Sequence, residues 1–152
     1  MTSAKRYFED FEPGQTIELG SITFTEADII DFATRHDPQD FHIRPDLARE
    51  SPFGGLIASG WHTCSQMMRM LVDQCVAHSS CMGSPGCDEL RWLKPVRPGD
   101  TIRSEIVVTE ARASASRPDR GTVSFDWNAY NQRDEHVVAI KGMLIFGRRP
   151  NQ

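Results

Sequence analysis

One long segment without glycine or proline lies near the middle of the chain, and most of the sequence after it has the period of β-strands. From about Trp61 to Ala77, apolar residues recur at three- and four-residue steps, namely Cys64, Met67, Met68, Leu71, Val72 and Cys75. This spacing is typical of a helix with one apolar face. In the segment 120–132 every second residue is apolar, namely Val123, Phe125, Trp127 and Ala129. That alternation predicts a strand with one buried face.

Further strands are predicted in segments 88–96, 101–114 and 135–149, with a hairpin between 101–114 and 120–132. A helix with a broad apolar face needs a second surface to cover it. The sequence therefore predicts an α+β fold in which a long central helix is wrapped by a curved antiparallel β-sheet. We find no internal repeat or linker and expect a single domain over residues 1–152.

A shorter helix is predicted before the central one. Thr25 followed by Asp28 resembles a capping box in which Asp replaces Glu, and apolar residues follow at helical spacing. The helix should run from about Glu26 to Arg35, and Pro38 keeps the chain after it from continuing helically. The segment 44–50 is consistent with a short helical turn.

Charge and hydropathy exclude several classes of protein. The formal net charge is −4, whereas a nucleic-acid-binding protein would present a basic face. No apolar run approaches the length of a membrane-spanning helix, and the N-terminal residues lack the apolar stretch of a secretory signal. We expect a cytoplasmic protein that binds neither nucleic acid nor membrane.

Three of the four cysteines, together with one histidine, are the best candidates for metal ligands. Cys75, Cys81 and Cys87 follow one another closely, with His78 between the first two. Zinc ligands usually come in closely spaced pairs from separate knuckles, which this spacing does not reproduce. We therefore expect reduced, structural thiols and no metal.

The stretch HDPQDFH, residues 36–42, contains two imidazoles and two carboxylates. Asp37 and His42 lie five residues apart on a loop that Pro38 stiffens. A carboxylate and an imidazole held close together can share one water and exchange protons with it near neutral pH. The alternative is a polar surface turn, for which an Asp-Pro pair is also suitable.

A glycine-rich loop leads directly into the predicted central helix. Gly54 and Gly55 are interpreted as shaping a tight loop, and Ser59 is a suitable N-cap. Gly60 stands at the start of the helix, where backbone N–H groups lack partners and the helix dipole is positive. Its N–H is therefore a candidate donor to a thioester oxygen that gains negative charge, with no side chain to obstruct the approach.

Together these segments resemble the MaoC-like dehydratases, the (R)-specific enoyl-CoA hydratase group of the hot-dog fold. The motif of that family, roughly Gly-Asp-x-Asn-Pro-aliphatic-His, stands here as His36-Asp37-Pro38-Gln39-Asp40-Phe41-His42. Asp and His match in identity and spacing, whereas His36, Gln39, Asp40 and Phe41 depart from the motif. The segment GLIASGW is similar to the loop before the central helix of the family, and Gly60 takes the place of its oxyanion donor. Residues 97–100, Arg-Pro-Gly-Asp, are interpreted as a structural turn.

The resemblance implies hydration of a trans-2-enoyl-CoA, or dehydration of the 3-hydroxyacyl-CoA. Asp37 and His42 would handle the water and Gly60 N–H would bind the thioester oxygen, with Ser59 and Trp61 as substrate-binding residues. The division of acid and base roles within the pair stays open. Neither a metal nor a redox cofactor is required, because CoA arrives with the substrate. Trp61, Met67 and Met68 are candidates for limiting the acyl pocket.

Hot-dog domains commonly pair edge to edge with sites at the interface, so the resemblance also implies at least a homodimer. Two other functions remain open. A hot-dog acyl-CoA thioesterase would need a carboxylate and an oxyanion donor but not the Asp/His pair. A non-catalytic acyl-CoA-binding domain would be favoured if Asp37 or His42 pointed away from any pocket.

Overall fold

Five antiparallel strands form one sheet in the computed structural model, which describes residues 4–151. The strands are β1 (Thr16–Thr23), β2 (Cys87–Trp92), β3 (Thr101–Ala113), β4 (Arg120–Tyr130) and β5 (His136–Gly147). Their order across the sheet is β1-β3-β4-β5-β2. The predicted hairpin of β3 and β4 is present, β4 also pairs with β5, and β1 and β2 form the two edges. The strand predicted over 88–96 ends early at Trp92, since Pro95 lies just beyond it and cannot donate a ladder hydrogen bond.

The central helix begins at the glycine-rich loop, as predicted. We label the helices α1 (Glu26–His36), α2 (Asp40–Ile43), α3 (Pro45–Ala48) and α4 (Gly60–Leu71). A π-helical turn, Val72–Val76, continues α4. There the N–H of Ala77 donates to the carbonyl of Val72 at 2.8 Å, one residue further back than in an α-helix. The predicted extent of the helix is therefore confirmed, but its last part has a wider hydrogen-bond pattern than we expected.

The core lies between α4 and the concave run of strands. On β4 the buried residues are the alternating apolar ones, as the pattern predicts, together with Gly121. From α4, Met67, Met70 and Leu71 pack into the same cluster as the strand residues. Burial of each large apolar side chain contributes roughly 1.5–3 kcal/mol, so this interface stabilises both the sheet and the position of α4. The predicted α+β architecture is confirmed.

The segment before α4 is organised by α1 and two short helical turns. Thr25 caps α1 by accepting a hydrogen bond from the N–H of Asp28 at 3.1 Å, which confirms the predicted start of the helix, whereas the side chain of Asp28 does not return the bond that would complete a capping box. The helix runs one residue further than predicted and includes His36. Asp37 follows as its C-cap, and α2 then carries His42. The chain thus turns twice within a few residues and brings the two predicted catalytic side chains back towards α4.

Across residues 4–151, no helix is long and apolar enough to cross a membrane. The same residues contain no group of three or more histidine, cysteine or acidic side chains arranged to hold a metal ion. All four cysteines are free thiols, with Cys75 buried and Cys87 exposed. Burial raises the pKa of Cys75, and it raises the pKa of Cys64 to about 11.

Candidate active site

Asp37 and His42 meet although they belong to different elements. Asp37 ends α1, where its N–H donates to the carbonyl of Ala33 at 2.8 Å. His42 lies in α2, and its N–H donates to the carbonyl of Gln39 at 2.9 Å. These backbone bonds turn the chain so that His42 Nε2 lies 3.2 Å from Asp37 Oδ2. The pair predicted from the sequence spacing is therefore brought together.

The imidazole of His42 is fixed from both sides. The residue is only 5% exposed, and its Nδ1 lies 2.7 Å from the carbonyl oxygen of Ile57. Because a carbonyl oxygen can only accept a hydrogen bond, Nδ1 carries the proton in the neutral ring. Nε2 faces the carboxylate; it has no proton in the neutral ring and donates to Asp37 Oδ2 in the protonated ring. The neutral ring can therefore take a proton at Nε2 from a group placed beside Asp37.

The carboxylate of Asp37 accepts a hydrogen bond at each oxygen. Gln39 Nε2 donates to Oδ1 at 2.7 Å, and Ser59 Oγ donates to Oδ2 at 2.7 Å. Burial raises the pKa of Asp37. The hydrogen bonds from Gln39 and Ser59, together with the charge of His42, lower this pKa by more than burial raises it. The net pKa lies below the ordinary value of 3.8, so Asp37 is ionised at neutral pH.

A cleft of about 410 Å³ contains the pair and the first turn of α4. Asp37, His42, Gly60 and Trp61 are all among the residues that line it. Within the described part of the chain, the N–H groups of Gly60 and Trp61 have no hydrogen-bond partner. The first N–H groups of a helix are a ready site for a developing negative charge. The cleft therefore combines a proton-exchanging pair with free backbone donors.

The space beside Gly60 is not open, contrary to our reason for singling this residue out. A Cβ on Gly60 would lie 2.3 Å from Cε2 of Trp92, which projects from β2. The ring of Trp92 also contacts that of Trp61, with centroids 5.1 Å apart in an edge-on arrangement. A glycine is required at this position because the indole occupies the place of a side chain.

Of the other residues singled out in the sequence, some line the cleft and others do not. Trp61 lies on the cleft wall and is 58% exposed. Ser59 occupies the N-cap position of α4, as predicted, but its side chain makes no capping hydrogen bond, and its hydroxyl donates to Asp37 Oδ2. Ser59 is 0% exposed and lies behind the cleft wall, an arrangement that does not favour the predicted contact with substrate. His36 and Asp40 are exposed and do not line the cleft.

Gln39 and Trp92 were not identified from the sequence as residues of this site. Gln39 holds Asp37, and its position in the family motif, where Asn is usual, was the available signal. Trp92 covers Gly60 from a strand distant in sequence, and no local pattern indicates that contact. The turn 97–100 is structural, as predicted. There Asp100 Oδ2 accepts a hydrogen bond from the N–H of Arg97 at 2.9 Å, and Gly99 has a φ of 89°.

Sequence comparisons place these features in a known context. Residues 9–128 match the family model described as MaoC like domain. Protein MaoC of Klebsiella aerogenes is 30% identical over 125 residues, which are 82% of this chain but only 37% of that protein. The (R)-specific enoyl-CoA hydratase of Rhodospirillum rubrum is 31% identical over 108 residues, 68% of this chain and 69% of that enzyme.

Solved structures give the same result for the fold. The MaoC-like dehydratase from Rhodospirillum rubrum superposes with a TM-score of 0.88 at 38% identity, covering 95% of this chain and 99% of that one. A Mycobacterium tuberculosis protein with a double hotdog fold superposes with a TM-score of 0.80 at 16% identity, over 100% of this chain and 47% of that one. The second likeness concerns the fold alone. The predicted hot-dog fold is confirmed.

Proposed function

This chain belongs to the MaoC-like domain family, and from that premise we propose that it catalyses the reversible hydration of a trans-2-enoyl-CoA to the 3-hydroxyacyl-CoA. The observation that carries the proposal is the 3.2 Å approach of His42 Nε2 to Asp37 Oδ2 in a cleft that also reaches the first turn of α4. A polar surface turn would not need this geometry. A simple binding domain would not need an ionised carboxylate in direct contact with a buried imidazole.

The reaction adds one water across the double bond next to the thioester. In the proposed reaction, Asp37 and His42 both bind that water from the same side of the cleft. One of its protons passes to the pair as its oxygen bonds to Cβ, and a proton returns from the pair to Cα. The thioester oxygen carries negative charge between these two events, and the N–H of Gly60 stabilises it. The pair ends with the protons it began with, so no cofactor is consumed.

A second cavity, which is apolar and has a volume of about 260 Å³, is a suitable site for the acyl chain. Trp61 lines both this cavity and the cleft. The cavity follows α4 from Trp61 to Leu71, a distance of about 15 Å at the rise of an α-helix. On the helix it is lined by Trp61, Cys64, Met68 and Leu71, and on the sheet mainly by apolar residues of β4 and β5. Its lining fits a hydrocarbon chain. Met67, the other methionine singled out in the sequence, is fully buried in the core.

We propose that the active molecule is a homodimer that pairs through β2. This strand is an edge of the sheet, and all of its residues except Leu90 are exposed. Large apolar side chains are also exposed near it, among them Trp92 and Leu93. A second copy would cover them and close the mouth of the cleft, which Trp92 and Leu93 line.

The test is an assay of purified protein with trans-2-enoyl-CoAs of increasing chain length, followed by loss of the conjugated thioester absorbance. Hydration should be seen, and His42→Ala should lower kcat by roughly 10²–10⁴, the usual contribution of a positioned acid or base. Thiol release measured in the same reactions separates hydration from thioester hydrolysis. Release of free CoA without hydration would favour the thioesterase. No turnover of any substrate by folded protein would contradict the proposal and favour a binding role.

A further inference from the structure

Ser59 is the N-cap residue of α4, but its side chain does not cap the helix. Serine at a helix N-cap normally accepts a hydrogen bond from an N–H of the first turn, which stabilises the helix. Ser59 makes no such bond, although its backbone has the extended ψ of 136° expected of an N-cap. Its carbonyl accepts from the N–H groups of His62 and Thr63 at 3.0 and 3.2 Å, as the carbonyl of an N-cap residue normally does. The side-chain hydroxyl points to another partner and donates to Asp37 Oδ2.

The segment that contains Ser59 contacts every part of the cleft chemistry. The carbonyl of Ile57 accepts the hydrogen bond of His42 Nδ1 at 2.7 Å, and the hydroxyl of Ser59 binds Asp37 Oδ2 at 2.7 Å. Gly60, the next residue, provides the free N–H at the start of α4. Three residues within residues 57–60 thus contact the imidazole, contact the carboxylate and offer a free N–H for the thioester oxygen.

The bond to Ser59 also determines which way the carboxylate faces. Asp37 Oδ2 is the oxygen that lies near His42 Nε2, and it is the same oxygen that accepts the hydroxyl of Ser59. The bond to Oδ1 comes from Gln39, which is exposed to solvent. Ser59 is fully buried, so water cannot readily replace it as the donor. Residues that depart from the local preferences of secondary structure are most often found at functional sites. Ser59, an N-cap serine without a capping hydrogen bond, is such a residue.

We propose that Ser59 is a positioning residue for the hydration reaction, and not a substrate contact. Its hydroxyl holds the plane of the Asp37 carboxylate so that Oδ2 stays beside His42 Nε2 while the N–H of Gly60 faces the substrate. This inference rests on the proposed function. It assigns the hydroxyl a role in kcat, because the bond aligns groups that act in the transition state and leaves the walls of the cleft unchanged.

The experiment compares Ser59→Ala with Ser104→Ala. Ser104 is a matched control because it is also 0% exposed and its hydroxyl donates one hydrogen bond, to the carbonyl of Asn128 at 2.9 Å. Loss of a hydrogen bond to a charged group should lower kcat of Ser59→Ala by about 10- to 100-fold with little change in KM. Ser104→Ala should keep the kcat of the unmodified protein. Thermal melts establish that both variants are folded.

A second measurement does not depend on activity. Titration of the Asp37 carboxyl carbon by NMR should give a higher pKa in Ser59→Ala than in the unmodified protein, because a donor to the ionised form is lost. In the same variant the acid limb of the rate profile should move to higher pH. An unchanged Asp37 titration, or equal kcat losses in the two serine variants, would overturn the inference. If the unmodified protein hydrates no enoyl-CoA but the titration shifts, the proposed function fails while the bond to Ser59 stands.

Discussion

The indole of Trp92 fills the place where a side chain on Gly60 would lie, with Cε2 only 2.3 Å from the position of that Cβ. Gly60→Ala should therefore force the ring outwards and lower the free energy of unfolding by about 1–3 kcal/mol, the usual cost of overpacking. In a Trp92→Ala background the same substitution should cost almost nothing, because the space is then empty. Urea denaturation of the two single variants and the double variant measures this coupling. Additive losses would show that the two residues do not compete for the space.

Asp37 and His42 should behave as one unit in kinetics. If both hold the same water, the double variant Asp37→Asn/His42→Ala should lose little more activity than the worse single variant, because the two groups act together. The rate of enoyl-CoA hydration by all three variants measures this. His36→Ala and Asp40→Asn are controls on the same stretch, and both should cost much less than tenfold since neither side chain lines the cleft. Near-normal turnover by folded His42→Ala would show that residues 36–42 form only a polar turn without a catalytic role.

The low pKa of Asp37 predicts a contribution to stability that depends on pH. A carboxyl whose pKa is lower in the folded state stabilises the protein above its unfolded pKa, here 3.8, and loses that contribution as pH falls through the lower folded value. The difference in free energy of unfolding between unmodified protein and Asp37→Asn should therefore shrink as pH falls from 6 to 3. Denaturant titrations at several pH values measure it. Asp40→Asn, at an exposed position, serves as a control, and an equal dependence in both variants would contradict the prediction.

The fold was predictable because its signals are local. The alternation of Val123, Phe125 and Trp127 and the three- and four-residue steps on α4 each reflect one buried face, so the strands and helix could be read directly. The π-helical turn after Leu71 could not, because apolar spacing does not distinguish a hydrogen bond to the fourth residue from one to the fifth.

The site was predictable only in part, because local patterns in the sequence do not record contacts between distant residues. Asp37 and His42 lie five residues apart, so a motif records their spacing. The hydroxyl of Ser59 had two acceptable uses, a local cap and a bond to Asp37 22 residues away, and only the fold decides between them. Trp92 reaches Gly60 from β2, an edge strand more than 25 residues further along the sequence. Such contacts depend on topology, which a local pattern does not contain.

The cysteines should be structural thiols without metal. Cys75 is buried, and Cys64 has a pKa raised to about 11 by burial, whereas a zinc ligand must lose its proton. Elemental analysis of purified protein should therefore find no stoichiometric zinc, and a chelator should leave the thermal melt unchanged. About one zinc per chain, lost together with the fold on chelation, would overturn this prediction.

The exposed side of β2 should be covered by a second copy of the chain. An open edge strand offers unpaired N–H and C=O groups, and proteins usually pair or protect such an edge. The described part of the chain places nothing beyond β2, and Trp61, Trp92 and Leu93 are all exposed near it. Light scattering at micromolar concentration should give twice the mass of the chain. Leu93→Lys should weaken the dimer by placing a charge in the interface, whereas Leu47→Lys, at an exposed leucine on α3, should leave it intact. A monomer mass for the unmodified protein, or equal dissociation of the two variants, would rule out pairing through this edge.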